Sequence, residues 1–306
     1  MNKRRITTWL RAMRIQFLQA SLIPVILGSA MAYRDGAFSW ELFGLIAFAI
    51  GAIHLGTNLT NDYFDHISGA DERNSNPTPF SGGSRVIQER LIAPHAIFIA
   101  AMTFYVIGVL FGMYLIFRTD WKLLWFGFFG VTLSFFYTAP PLKLGYRGWG
   151  EFLVGVLLGP LAVMGAYYVY TRTLTPQVLL LSLPIGFLVS AVLYINQFPD
   201  MESDTAAGKL HWIARMGRQR AVKGYYLLIG AAYLSILLSV LFGISPVWSL
   251  LPFITLPLAI QAARILQRSY NRIPDLIPAM GLTIMIHLSV GLLLFVGLIL
   301  DRWTTV

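Results

Sequence analysis

Apolar runs of roughly membrane-spanning length, almost free of charge, alternate with short polar stretches along the whole chain. A helix needs about 20 such residues to cross the hydrocarbon core. The runs predict nine spans, at residues 15–33, 40–60, 94–117, 121–137, 152–170, 176–198, 221–242, 247–265 and 277–300. The fourth is the shortest. It ends at Tyr137-Thr138-Ala139-Pro140-Pro141, where proline restricts the residue before it and donates no N–H. The expected fold is all-α: nine transmembrane helices in one bundle, a single domain over residues 1–306, with a polar cavity on the cytoplasmic side. Lys3-Arg4-Arg5, an apolar stretch and Ala30-Met31-Ala32 imitate a secretory leader. The stretch is span-length and eight more spans follow, which favours a first helix that is retained.

Composition agrees with a membrane protein. Hydrophobic residues make up 57% of the chain and charged residues 12%, against about 25% charged in soluble domains. The absence of cysteine excludes disulfides, thiolate metal sites and cysteine nucleophiles. A net charge of +9 would suit nucleic acid, but the positions argue against that partner. Of the 23 lysines and arginines, 18 fall in the N-terminal segment and the loops after spans 2, 4, 6 and 8. Arg34, Arg118, Lys122, Arg172 and Arg302 lie on the other side. The positive-inside rule explains this split, with the N-terminus in the cytoplasm and the C-terminus outside a cell inner or plasma membrane.

The same cytoplasmic loops carry two acidic clusters. Asn58, Asp62 and Asp65 recur at i, i+4 and i+7, with Asp71 following in a Ser68-Gly69-Ala70-Asp71 turn. Asn196, Asp200 and Asp204 recur at i, i+4 and i+8. Either spacing places the polar groups on one helix face. A single cluster could be solvated carboxylates at a helix end. Two with one pattern on one side favour a shared ligand, and the pair hints at internal duplication. Mg²⁺ takes one or two carboxylates plus phosphate oxygens, so this many carboxylates fits two or more ions around an anionic substrate. Lys143, Arg147, Lys209, Arg215 and Arg85 lie nearby and suit a diphosphate, though topology alone would also place them there. The Ser81-Gly82-Gly83-Ser84 stretch could cradle phosphate. Tyr63, Phe135, Phe136, Tyr137, Tyr194 and Phe198 could stabilise a carbocation through their ring faces, although core packing is the commoner role. No histidine pair has zinc-like spacing, and no nucleotide or hydrolase signature occurs.

Three motifs in this order carry a resemblance. They are Asn58-x-x-x-Asp62-x-x-Asp65 with Asp71; Tyr137-Thr138-Ala139-Pro140-Pro141 with Lys143 and Tyr146-Arg147-Gly148; and Asn196-x-x-x-Asp200-x-x-x-Asp204 with Gly208-Lys209. Together they resemble the UbiA-type intramembrane prenyltransferases, over nearly the whole chain. Asn61-Asp62-Tyr63-Phe64-Asp65, Gly148-Trp149-Gly150-Glu151-Phe152 and Ala207-Gly208-Lys209 leading to Arg215-Met216-Gly217 look like the MenA branch. That branch comprises the 1,4-dihydroxy-2-naphthoate polyprenyltransferases of menaquinone synthesis. The chain departs from it before span 1, reading Arg11-Ala12-Met13-Arg14 where an Arg-Pro pair is common.

The resemblance implies that Asp62 and Asp65 hold one Mg²⁺ and Asp200 and Asp204 another, assisted by Asn58 and Asn196. It implies a polyprenyl diphosphate donor, with Lys143, Arg147 and Lys209 stabilising the departing diphosphate, and an aromatic acceptor that attacks the allylic cation. Other acceptors fit the same motifs: 4-hydroxybenzoate, homogentisate, a porphyrin or a lipid alcohol. A cation-coupled transporter is a competing reading, but it calls for carboxylates near the bilayer midplane rather than at span ends.

Overall fold

The computed structural model describes residues 3–304, and every regular element among them is helical. Helix α1 (Lys3–Ala12) leads into α2 (Ile15–Arg34) and α3 (Trp40–Ser68). After the short α4 (Ala70–Arg73) come α5 (Pro94–Arg118), α6 (Leu123–Phe135) and α7 (Gly150–Thr171). Then follow α8 (Pro176–Asn196), α9 (Met201–Ala206), α10 (Trp212–Met216), α11 (Arg218–Leu241), α12 (Val247–Ser269) and α13 (Ile273–Thr304). Local chemistry sets several starts. Ser39 accepts from the Leu42 amide at the head of α3, and Thr175 from Val178 at the head of α8, with Pro176 in its first turn.

Among the described residues, eight helices are long and apolar enough to cross a membrane. With Val106, Leu110, Met113 and Phe117 of α5 exposed around the outside, the chain is a multi-pass membrane protein. Helix α3 packs along α5, α8 along α11, and α13 along α2, α8 and α12. The main core lies between α2, α7, α8, α11 and α13, around Leu27, Leu188, Tyr194, Tyr225 and Leu294. Arg34 and Asp301, 2.9 Å apart, join the first and last long helices at the end remote from the acidic clusters.

Three expectations change. The run at 121–137 yields only 13 helical residues, Leu123–Phe135, because turns occupy both flanks. The helix carrying the first cluster does not stop at Thr60. It continues to Ser68, ended by Gly69 at φ 74°, so its 29 residues span about 43 Å at about 1.5 Å each. That exceeds the roughly 30 Å hydrocarbon core, and the cluster rides on the surplus. The second cluster, by contrast, is not on one continuous helix. Helix α8 ends at Asn196, turns fill 197–200, and α9 begins at Met201. Pro199 offers no N–H to continue the ladder. The Asp204 amide bonds the Asp200 carbonyl at 2.8 Å in the first turn of α9, which keeps these two aspartates one turn apart beyond the break.

Helices α7 and α8 cross through glycine. A Cβ at Gly186 would lie 2.7 Å from the Gly155 carbonyl oxygen, backbone that has no room to yield. Helix α7 opens into a wider π turn over Leu157–Leu161, around Pro160, at this crossing. Gly186→Ala therefore lowers the melting temperature of the detergent-solubilised protein by several degrees. Gly112→Ala, on α5 with open space around it, leaves the temperature unchanged or raises it.

Candidate active site

The two clusters meet at one end of the bundle. Asp62, Asp71 and Asp204 are each under a tenth exposed, and α4 packs beside α9. The segment after α4 folds over them. Asn74 Nδ2 donates to Asp200 Oδ1 at 2.8 Å and the Gly82 amide to Asp200 Oδ2 at 3.2 Å. The Ser84 amide lies 3.3 Å from both oxygens of Asp62. A Cβ on Gly83 would overlap the Asp71 carboxylate. Gly82 and Gly83 both hold positive φ, 78° and 70°, which lets the backbone come this close. The Ser-Gly-Gly-Ser stretch thus spends these amides on carboxylates of both clusters.

Lys209 stands between the clusters, 2.9 Å from Asp65 Oδ2 and 3.6 Å from Asp204 Oδ2. The Tyr146 hydroxyl donates to Asp65 Oδ1 at 2.6 Å, and its ring carries Lys143 and Lys209 ammonium groups 5.2 and 5.4 Å from its centroid. His211 Nε2 is 3.4 Å from Asp204 Oδ2. Four carboxylates, those of Asp65, Asp71, Asp200 and Asp204, thus share the charge of one lysine. Burial, and then the charges of Asp65 and Asp62, push Asp71 up to about 8. Burial, and then Asp204, push Asp200 up to about 6. Burial also opposes ionisation of Asp204, but Lys209 and His211 outweigh it and hold that carboxyl below its usual range. Lys209 is held well above the ordinary lysine value: burial opposes its charge, and Asp204 and Asp65 overcome that.

The raised groups have a measurable consequence. Between the ordinary carboxyl value of 3.8 and about 8, folded Asp71 holds a proton that the unfolded chain has lost. Stability of the metal-free protein therefore falls as pH rises through that window and levels off above it. Denaturation with EDTA present at pH 5, 6, 7 and 8 measures this. Added divalent cation should flatten the slope.

The remaining expected residues are distributed unevenly. Asn58 is buried, its Nδ2 donating to the Met13 carbonyl at 3.0 Å. Asn196 is buried with its Oδ1 unpartnered. Tyr137 is buried against Gly145 and Gly150. The Arg85 guanidinium bonds the Asp71 carbonyl. Arg147 and Arg215 sit on an exposed rim, donating to the carbonyls of Pro141 at 3.1 Å and Leu210 at 2.7 Å. Tyr63 packs on Phe98, ring centres 4.8 Å apart. Asn74 and His211 stand in no motif of the sequence, and Tyr146 and Glu151 stand in motifs with no role marked for them. Glu151 is fully buried and accepts from the Trp212 amide at 2.9 Å.

Among the described residues, no three acidic or imidazole groups converge into a ready-made metal centre. The donor set still fits Mg²⁺: carboxylates crowded enough to retain protons, a free buried amide oxygen on Asn196, and partial ligation completed by phosphate oxygens.

These features define a class, helical membrane enzymes with a polar site at one end of the bundle. The UbiA prenyltransferase family profile matches residues 21–300, and the chain belongs to that family. It is a prenyltransferase. It is 29% identical over 285 residues to the 1,4-dihydroxy-2-naphthoate octaprenyltransferase of Bacillus subtilis, covering 93% of this chain and 89% of that one. It is 32% identical to UbiA prenyltransferase domain-containing protein 1 of Xenopus tropicalis, covering 97% and 83% respectively. The fold resembles a UbiA homologue from Archaeoglobus fulgidus solved with GPP and Mg²⁺ bound, at TM-score 0.60 and 15% identity, covering 94% of this chain and 99% of that one. The resemblance to the UbiA superfamily and its MenA branch is borne out.

Proposed function

We propose that this prenyltransferase moves a polyprenyl group from polyprenyl diphosphate to 1,4-dihydroxy-2-naphthoate, with loss of the carboxylate, in a Mg²⁺-dependent reaction of menaquinone synthesis. The observation that carries the reading is the meeting of five carboxylates from two clusters, bridged by Lys209 and roofed by the 74–84 segment. Such an excess of buried negative charge calls for cations and, with them, a polyanionic substrate. The acceptor is supported by the names of relatives such as the Bacillus subtilis protein.

Asp62 and Asp65 would hold one Mg²⁺ and Asp200 and Asp204 another, with Asn58, Asn196 and Asp71 assisting; bound there, the ions would supply Lewis-acid stabilisation of the leaving diphosphate. Lys209 and Lys143 add fixed positive charge at the same place, one on each contact with the Tyr146 ring. Arg85, Arg147 and Arg215 line the approach and guide the anionic donor. Tyr137 and Tyr63, with neighbouring aromatics, exclude water that would otherwise trap the allylic cation as an alcohol. The apolar spans take the long tail.

The same reading treats the chain as one domain in the cell membrane, N-terminus cytoplasmic, C-terminus outside, with the polar cavity open to the cytoplasm. Helix α6 with its flanking turns completes a ninth crossing. The test is transfer by the purified protein in nanodiscs, with dihydroxynaphthoate, 4-hydroxybenzoate and homogentisate offered in parallel. Turnover only with dihydroxynaphthoate and Mg²⁺ is expected. Full turnover in EDTA would reject the metal assignment, and preference for another ring would reject the acceptor.

A further inference from the structure

His54 lies on α3 one turn deeper than Asn58 and two turns deeper than Asp62, on the same face at i, i+4 and i+8. Its Nδ1 is 2.7 Å from Ser21 Oγ of α2. Its Nε2 has neither a hydrogen-bond partner nor solvent exposure. Buried polar atoms are nearly always satisfied, so an imidazole fixed at one nitrogen and free at the other is poised for a ligand. It is not alone in this. Asn196 Oδ1, Gln197 Oε1 and His287 Nε2 are also buried without partners. They sit on or just after α8 and α13, the helices that pack with α2. Three of the buried unpartnered side-chain atoms thus lie on or beside helices that pack with α2. Among them, only His54 combines the cluster-bearing face of α3 with a hydroxyl that orients its ring.

We propose that His54 is a catalytic base toward the acceptor, its Nε2 receiving the ring-hydroxyl proton as the ring attacks, with Ser21 positioning the imidazole. This rests on the reading above that the acceptor is a hydroxyarene. The Nδ1–H donates to Ser21 Oγ, which leaves a lone pair on Nε2. A ring π pair forms the C–C bond to the first prenyl carbon. The C–O bond to diphosphate breaks, and its electron pair leaves with the diphosphate. The hydroxyl proton passes to Nε2 while the O–H pair becomes a carbonyl π bond, so no positive charge remains on the ring. When the substituted carbon bears a carboxylate, the product is a β-keto acid. Loss of CO₂ returns an electron pair as an enolate, and His54 delivers its proton back to that oxygen. One imidazole serves both halves and ends as it began.

His54→Gln keeps the volume and polarity of the side chain but cannot accept the proton. The full-length variant in nanodiscs is compared with wild type, using whichever hydroxyarene the wild type prenylates best. Binding of a non-hydrolysable prenyl thiodiphosphate is measured alongside. The expected result is a fall in kcat of about 100-fold, at the low end of general-base effects, with analogue affinity unchanged. Ser21→Ala gives a smaller fall in kcat at unchanged KM and adds nothing in the His54→Gln background. A kcat within threefold of wild type overturns the proposal. So does parallel loss of analogue binding, which would make His54 structural, or a fully additive Ser21 effect. Failure of the wild type on dihydroxynaphthoate but success on another hydroxyarene would overturn only the acceptor, since His54 is then tested on that ring.

Discussion

Asp62→Asn and Asp200→Asn each reduce prenyl transfer by at least about 100-fold while leaving the folded protein intact. Hydrogen-bonded supports around metal ligands are worth about 10–100-fold, and these residues are assigned as ligands themselves. The substitution is chosen for what it preserves. Asn keeps one oxygen, which accepts from the Ser84 amide at position 62 and, at position 200, from either Asn74 or the Gly82 amide. Most of the roof over the site therefore stays in place. What disappears is one ionisable carboxyl among five. Burial already resists the charge at position 200, so its removal relieves the metal-free protein. The signature is then a melting temperature in EDTA equal to or above wild type, combined with loss of Mg²⁺-induced stabilisation and of turnover. Turnover within tenfold of wild type at saturating Mg²⁺ would refute the ligand assignment. A lowered melting temperature in EDTA would point to a structural role instead.

Hydropathy made the long helices legible, because each apolar run must satisfy its own backbone in lipid and helix is the way to do so. The acidic clusters were legible for a related reason: carboxylates at span ends stand out in an apolar chain. What the sequence concealed depends on contacts between distant segments. Pro199 in Asn196-Gln197-Phe198-Pro199-Asp200 breaks a pattern that counts as one helix face, and a turn over 197–200 carries the chain from α8 into α9. Asn74 reaches Asp200 only because Gly82 and Gly83 turn the loop back, and no periodicity marks such a residue. Tyr146 looked like a neighbour of Arg147, yet the tyrosine meets Asp65 while the arginine bonds a carbonyl. An arginine's five donors serve a backbone carbonyl as readily as a phosphate, so loop arginines could not be ranked by type alone. Lys209, by contrast, was foreseen as a phosphate partner. What the structure shows is Lys209 joining the two clusters.

That junction sets the second large effect. Lys209→Met removes the cation between Asp65 and Asp204 and retains most of its length. Deleting one partner of a buried ion pair typically costs about 3–5 kcal/mol, because the other charge stays buried without compensation. Here two carboxylates lose the same partner, so the metal-free variant should unfold at a markedly lower temperature. The sign reverses the case of Asp62→Asn, where a negative charge is removed from an excess of them. Mg²⁺ should restore much of the lost stability in Lys209→Met, since cations bound at the clusters replace the missing charge. Turnover should stay low even at saturating Mg²⁺, because the ammonium is also assigned to the leaving diphosphate. Adding Asp65→Asn to Lys209→Met should recover stability in EDTA without recovering activity, as expected for coupled neighbours. Thermal melts of the four proteins, with and without Mg²⁺, measure the coupling directly. If the double variant is no more stable than Lys209→Met alone, Lys209 does not act by neutralising Asp65. If Lys209→Met melts like wild type in EDTA, the lysine is not the charge that holds the clusters together.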